Sequence, residues 1–251
     1  MNLTVANVST QINAVDFQAA INAIVRQVRE HFQPEWNATA ALRGVAVKLP
    51  KNMAPINGHH DAIIYLGDSS QDPTTGVEGA LGYHSVNHVN VPYGFVYLDI
   101  CAQYGESWQS CLSHEVLELL ADPTAVMTVT GPTPRSGHGT VHYDLEVCDP
   151  TQGDSYRIDN VEVSNFVGRA YFGLTGGSGA TNYLSLELQP FGVRPKGYFQ
   201  YEDRKGGVHQ VEGEKVTDQI RSARSTMAKM YGKLGPARRN ARREARAKSG
   251  L

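Results

Sequence analysis

The chain has 251 residues, 41% of them hydrophobic and 19% charged, with a formal net charge of −2. That is enough apolar material for a packed core, which excludes wholesale disorder, and no apolar run approaches the ~20 residues of a membrane-spanning helix. Three widely spaced cysteines, Cys101, Cys111 and Cys148, do not make a disulfide framework and suit a reducing compartment.

The first ten residues carry no basic stretch and no long apolar stretch, so no signal peptide is predicted and the expected location is cytoplasmic or virion-associated. Apolar residues at three- and four-residue steps (Val15, Phe17, Ile21, Ile24, Val25, Val28) predict an amphipathic helix over 13–33, ended by Pro34. Short strands are predicted at 45–49, 62–66, 80–86 and 94–100, with loops at 51–60 and 67–79. A second helix is predicted from Ser107 to Ala121, stopped by Asp122-Pro123. Downstream come a Gly/Pro loop at 131–139, a strand at 141–148 and a hairpin over 155–172 turning at Asp159-Asn160. A flexible loop at 173–180, short strands at 183–188 and 198–201, and a helix at 214–234 complete the series. The expected fold is α+β, a single domain over 1–234 with its core at 13–172, an irregular β-rich and helical extension at 173–234, and a tail at 235–251.

The chemistry concentrates in Ser113-His-Glu-Val-Leu-Glu118. His114 and Glu118, four apart, share a helix face, with Glu115 one step around. The helix is apolar over most of its circumference and should be buried, and a buried carboxylate is costly unless it is paired or binds a metal. His-Glu-x-x-His on a helix binds zinc through its histidines and uses the Glu as general base. Here the second histidine position holds Glu118, giving His-Glu-x-x-Glu. His114 and Glu118 are therefore candidate ligands for Zn2+ or another divalent metal, and Glu115 is the candidate base acting on a metal-bound water. The ordinary alternative is a chance string on a helix.

A second polar cluster lies in Val141-His-Tyr-Asp-Leu-Glu-Val-Cys-Asp-Pro150. Strand alternation puts His142, Asp144, Glu146 and Cys148 on one face. Glu146 is chosen as the third ligand, with His142, Asp144, Asp149 and Asp122 as rivals. His84, before the central helix, is a candidate for oxyanion stabilisation, against the plainer reading of a loop histidine. The strand near Tyr83 is a candidate for backbone pairing with an extended substrate. His59, His60 and His88 are loop residues without a partner in view.

The order of helix, strands, edge strand and His-Glu-x-x helix resembles the zincin-like metallopeptidase half-domain. The strings Ala80-Leu-Gly-Tyr-His84, Ser113-His-Glu-Val-Leu-Glu118 with Ala121-Asp-Pro123, Glu146-Val-Cys-Asp-Pro150 and Val163-Ser-Asn-Phe-Val167 with Tyr171-Phe172 are similar to a family of bacterial and bacteriophage proteins with no established activity. The resemblance spans about residues 13–172. It implies a zincin-like fold with a metal site and a phage or virion-associated role, but no substrate.

Residues 235–251 carry six basic groups and one acid, a charge of +5 that leaves −7 on the rest. Arg238, Arg242 and Arg246 would form a stripe on a helix. Such a tail is a candidate for phosphate contacts with nucleic acid, for a virion assembly signal, or for a solvated solubility tail. The leading expectation is a peptidase-like metal-dependent hydrolase acting on a peptide or protein. The alternative is a non-catalytic phage structural or assembly protein, oligomeric or built into a particle, whose tail contacts nucleic acid or a partner. No membrane partner is expected.

Overall fold

The computed structural model describes residues 1–47, 61–71, 82–86, 91–103, 105–134, 139–218 and 220–222. Asn2–Asn7 forms a strand, β1, at a place where no strand is predicted. α1 (Ala14–Arg26) begins at Asn13, whose side-chain oxygen accepts from the amides of Val15 (3.0 Å) and Asp16 (2.9 Å). It buries Phe17, Ala20, Ile21 and Ile24.

The helix does not stop before Pro34, as expected. It widens into a π-helical turn at Gln27–Phe32 and continues as α2 (Gln33–Trp36), until Asn37 adopts a left-handed conformation at φ 53°. A proline ring strikes the carbonyl four residues back in a regular helix. The wider turn moves that carbonyl away, so the chain passes Pro34 without breaking. Trp36 Nε1 then donates to the Val167 carbonyl at 2.9 Å.

β2 (Ala41–Ala46) starts earlier than predicted; β3 (Ala62–Gly67) matches its apolar run. β4 (Gly82–Val86) and β5 (Pro92–Tyr97) follow. Leu98–Ile100, expected to continue the strand, instead opens α3 (Leu98–Gln103). The Asp99 carboxylate causes the switch: it accepts from its neighbour's amide, Ile100 N–H (2.7 Å), and from Ser70 N–H (3.1 Å) and Ser69 Oγ (2.8 Å).

These strands form one mixed sheet in the order β2-β1-β3-β5-β4. All neighbours are parallel except β4, the edge strand, which runs antiparallel to β5. β1 lies inside the sheet, with Val5 between Gly44 and Ile64. α1 rests on β2 so closely that a Cβ on Gly44 would sit 2.7 Å from Ile21 and 2.8 Å from Phe17. Leu3, Val5, Ile64, Leu66 and Val96 meet Phe17, Ile24, Leu112, Val116 and Leu119 in the core. α4 (Trp108–Ala121) supplies the last three and packs against β4 and β5.

The second half is built of hairpins. β6 (Thr128–Pro132), in a stretch read partly as loop, pairs with β7 (Thr140–Asp144). β8 (Ser155–Ile158) and β9 (Val161–Ser164) make the predicted hairpin, turning at Asp159 with φ 53°. Tyr183–Leu188, expected as a strand, is a run of turns, because the Asn182 side chain closes it locally by bonding both the amide (3.1 Å) and the carbonyl (2.7 Å) of Leu186. β10 (Tyr198–Glu202) pairs with the unforeseen β11 (Val208–Glu212), and a second sheet runs β11-β10-β7-β6.

β9 anchors this half to α4. The Ser164 amide donates to Ser113 Oγ (2.6 Å), and the Ser164 carbonyl accepts from Gln27 Nε2 (2.8 Å) on the π-helical turn. No helix among the described residues is long and apolar enough to cross a membrane. His59, His60, His88, the Tyr83 side chain, most of the predicted 214–234 helix and the basic tail lie outside the described residues.

Candidate metal centre

α4 forms where predicted. Ser107 caps it, its hydroxyl accepting from the Ser110 amide at 3.2 Å. Leu112, Val116, Leu117 and Leu119 pull the helix into the core and carry Glu115 and Glu118 down with them; both glutamates are buried. His114, one turn before Glu118, keeps 12% of its side-chain surface exposed.

His114 Nε2 lies 3.1 Å from Glu118 Oε2 and 3.2 Å from Asp149 Oδ1. These three residues offer donor atoms all within 4.8 Å of one another, close enough for a single cation. Asp149 arrives by a change of geometry. β7 ends at Asp144, the chain leaves its extended path, and Asp149 opens a short 3-10 turn, Asp149–Thr151. At that bend the amides of Cys148 (3.0 Å) and Asp149 (3.2 Å) both donate to Glu118 Oε1. Glu118 Oε2 is thereby aimed at His114.

The predicted face of His142, Asp144, Glu146 and Cys148 is therefore broken. His142 stays on β7, 3.2 Å from Thr130 Oγ1, and Asp144 stands opposite Thr128. Neither belongs to a group of potential ligands among the described residues. Asp122 is committed to the turn after α4, its oxygens accepting from Thr124 N–H (3.0 Å), Thr124 Oγ1 (2.7 Å) and Met127 N–H (2.6 Å). Glu146, the first choice for third ligand, faces His84 instead, with its Oε2 3.8 Å from His84 Nε2.

His84, from edge strand β4, is not a loop residue but sits buried beside α4. Its Nδ1 lies 3.7 Å from Glu115 Oε2 and 4.0 Å from Glu118 Oε2. His84, Glu115 and Glu118 form a second group of donor atoms within 4.8 Å, sharing Glu118 with the first. His84 Nε2, Glu115 Oε2 and Glu146 Oε2 are buried without a hydrogen-bond partner. Unsatisfied buried polar atoms are rare, so three of them side by side call for an explanation.

Comparison with protein-family models, with curated proteins and with solved structures finds no match.

The electrostatics follow from crowding. Burial by itself would lower the His84 pKa, but the carboxylates of Glu146, Glu115 and Glu118 outweigh burial and lift it to about 10. At His114 burial again opposes, and Glu118 leads the groups that carry the imidazole well above its ordinary value. Burial pushes the Glu146 and Asp149 carboxyls upward, and nearby Glu118 adds to both. Burial also raises the Cys148 thiol. Negative charge is in excess here, the condition a bound cation relieves.

The donor set of one imidazole and two carboxylates fits a divalent cation of the zinc or manganese kind, and the orphaned atoms beside it fit the same conclusion. Sequence reasoning found every member of the cluster but ranked Asp149 behind Glu146. The Asp149-Pro150 pair, which opens a turn, is the signal that favours Asp149.

Proposed function

We propose that this protein is a metal-dependent hydrolase, peptidase-like, with its cation held by His114, Glu118 and Asp149. The observation that carries the reading is the convergence of His114 Nε2, Glu118 Oε2 and Asp149 Oδ1, next to a buried Glu115 whose Oε2 has no hydrogen-bond partner. A divalent cation held there would lower the pKa of a bound water to about 7. Glu115 is placed to take the proton of that water as it attacks and to return it to the leaving group. His84, buried beside Glu115, is placed to offer an N–H to the developing oxyanion. The Cys148 and Asp149 amides keep Glu118 from rotating away.

A zincin-like core is supported by the arrangement around α4: a mostly parallel sheet whose antiparallel edge strand, β4, lies next to the His-Glu helix. Among the described residues no strand lies beyond β4, and an edge strand in that place can pair with an extended peptide. His114 and Glu146, with 12% and 24% of their side chains exposed, are the members of the cluster most open to solvent, which gives a substrate its approach.

The test is metal content by mass spectrometry on untagged protein, with hydrolysis of an unstructured protein such as casein measured alongside. Wild type is expected to carry zinc or manganese, and Asp149→Asn to lose most of it. Glu115→Gln is expected to keep the metal and lose hydrolysis. Wild type that takes up no cation after incubation with zinc or manganese overturns the proposal.

A further inference from the structure

Two groups of donor atoms meet at Glu118, and the proposed cation occupies one of them. The second comprises His84 Nδ1, Glu115 Oε2 and Glu118 Oε2, each atom within 4.8 Å of the others. His84 is 5% exposed and Glu115 6%, and Glu115 Oε2 has no hydrogen-bond partner. The remaining His84 nitrogen, Nε2, faces Glu146 Oε2 at 3.8 Å, and both atoms are also unpartnered. A ligating histidine commonly donates its other ring N–H to a carboxylate, which fixes the ring. Glu146 stands on that side of the His84 ring, at 3.8 Å just beyond hydrogen-bond distance, and Nδ1 is left for a cation.

Charge points the same way. Glu115, Glu118, Glu146 and Asp149 are four carboxylates gathered around two imidazoles. One divalent cation offsets half of that charge when the imidazoles are neutral, and two offset all of it. Glu118 is suited to a shared role: Oε1 is fixed by two backbone amides, so Oε2 stays between His114 Nε2 (3.1 Å) and His84 Nδ1 (4.0 Å). Cations bridged in this way lie about 3.5–4 Å apart.

We propose that a second divalent cation binds among His84, Glu115 and Glu118, shares Glu118 with the first, and withdraws Glu115 from catalysis by ligating it. The inference rests on the metal-centre reading above. It adds a regulatory state in which the cation that activates the site at low concentration silences it at high concentration. The two cations repel, so the second binds about tenfold or more weakly than the first.

The probe is Mn2+, titrated into metal-stripped, untagged full-length protein. Bound ion is counted by equilibrium dialysis with mass spectrometry, and electron paramagnetic resonance reads coupling between ions. Wild type is expected to bind two Mn2+ per chain in two steps, and the second ion to bring in a spin-coupled signal. Glu115→Gln and, independently, His84→Gln are expected to remove the second equivalent and keep the first. Wild type that saturates at one Mn2+ overturns the second site and leaves the first standing. Two equivalents without spin coupling, or a second equivalent indifferent to both substitutions, also overturn it. No binding at all overturns the metal-centre reading itself. The wild-type titration decides the matter even where a variant fails to fold.

Discussion

Glu118 and Asp149 are joined twice. The Asp149 amide donates to Glu118 Oε1 at 3.2 Å, and the two carboxylates converge on the same nitrogen, His114 Nε2, at 3.1 and 3.2 Å. The backbone bond sets the geometry of the side-chain pair, so the helix and the turn that supply the two carboxylates are coupled to each other.

Replacements at Glu118 should therefore separate structure from chemistry. Glu118→Gln keeps a carbonyl oxygen for the Cys148 and Asp149 amides and is expected to fold with its metal affinity reduced. Glu118→Ala strands two buried donors, at roughly 1–3 kcal/mol each. Urea unfolding of both variants, free of metal, checks this; equal stability would show that the amide bonds contribute nothing.

Asp122 gives the opposite pattern. It bonds three groups of the turn after α4 and none of the cluster. Asp122→Ala is expected to cost about 1–2 kcal/mol of stability, the range for losing a capping carboxylate, while the bound metal stays at the wild-type level. A loss of metal in a variant that still folds would place Asp122 in the site after all.

Without metal the protein should weaken as the pH rises. His84 has its folded pKa lifted from 6.5 to about 10, so its contribution is complete below 6.5 and is lost on the way to 10. The raised carboxyls of Glu146 and Asp149 act in the same direction, since the folded state holds their protons longer than the unfolded chain does. Thermal melts of metal-stripped protein between pH 6.5 and 10 are expected to show a falling Tm, and zinc to flatten the slope. A level profile for the stripped protein would contradict the charge arrangement described here.

Much of the site was legible because helix periodicity survives burial. The spacing of His114, Glu115 and Glu118 and the apolar residues around them place α4 correctly, and Ser107 marks its start. The place of Asp149 beside His114 is not legible in the sequence. A two-residue alternation predicts one face through Glu146 and Cys148, whereas the strand ends at Asp144 and the chain bends where Glu118 captures two of its amides. That capture is a long-range event that local pattern does not encode.

The fold shows the same division. β3 announces itself as a continuous apolar run. β1 alternates weakly and ends in asparagine, and it is a strand because β2 and β3 flank it on both sides. Pro34 is a reliable helix stop only in a regular helix, and the π-helical turn before it removes the clash on which the rule depends.

The backbone of Ser164 is gripped on both sides, its N–H by Ser113 and its carbonyl by Gln27. Ser113 immediately precedes His114, and one residue of helix corresponds to about 100° of rotation. The grip therefore works as a rotational key for α4: the helix cannot roll about its own axis to swing His114 away from Asp149 without first unlatching a hairpin and the far helix together.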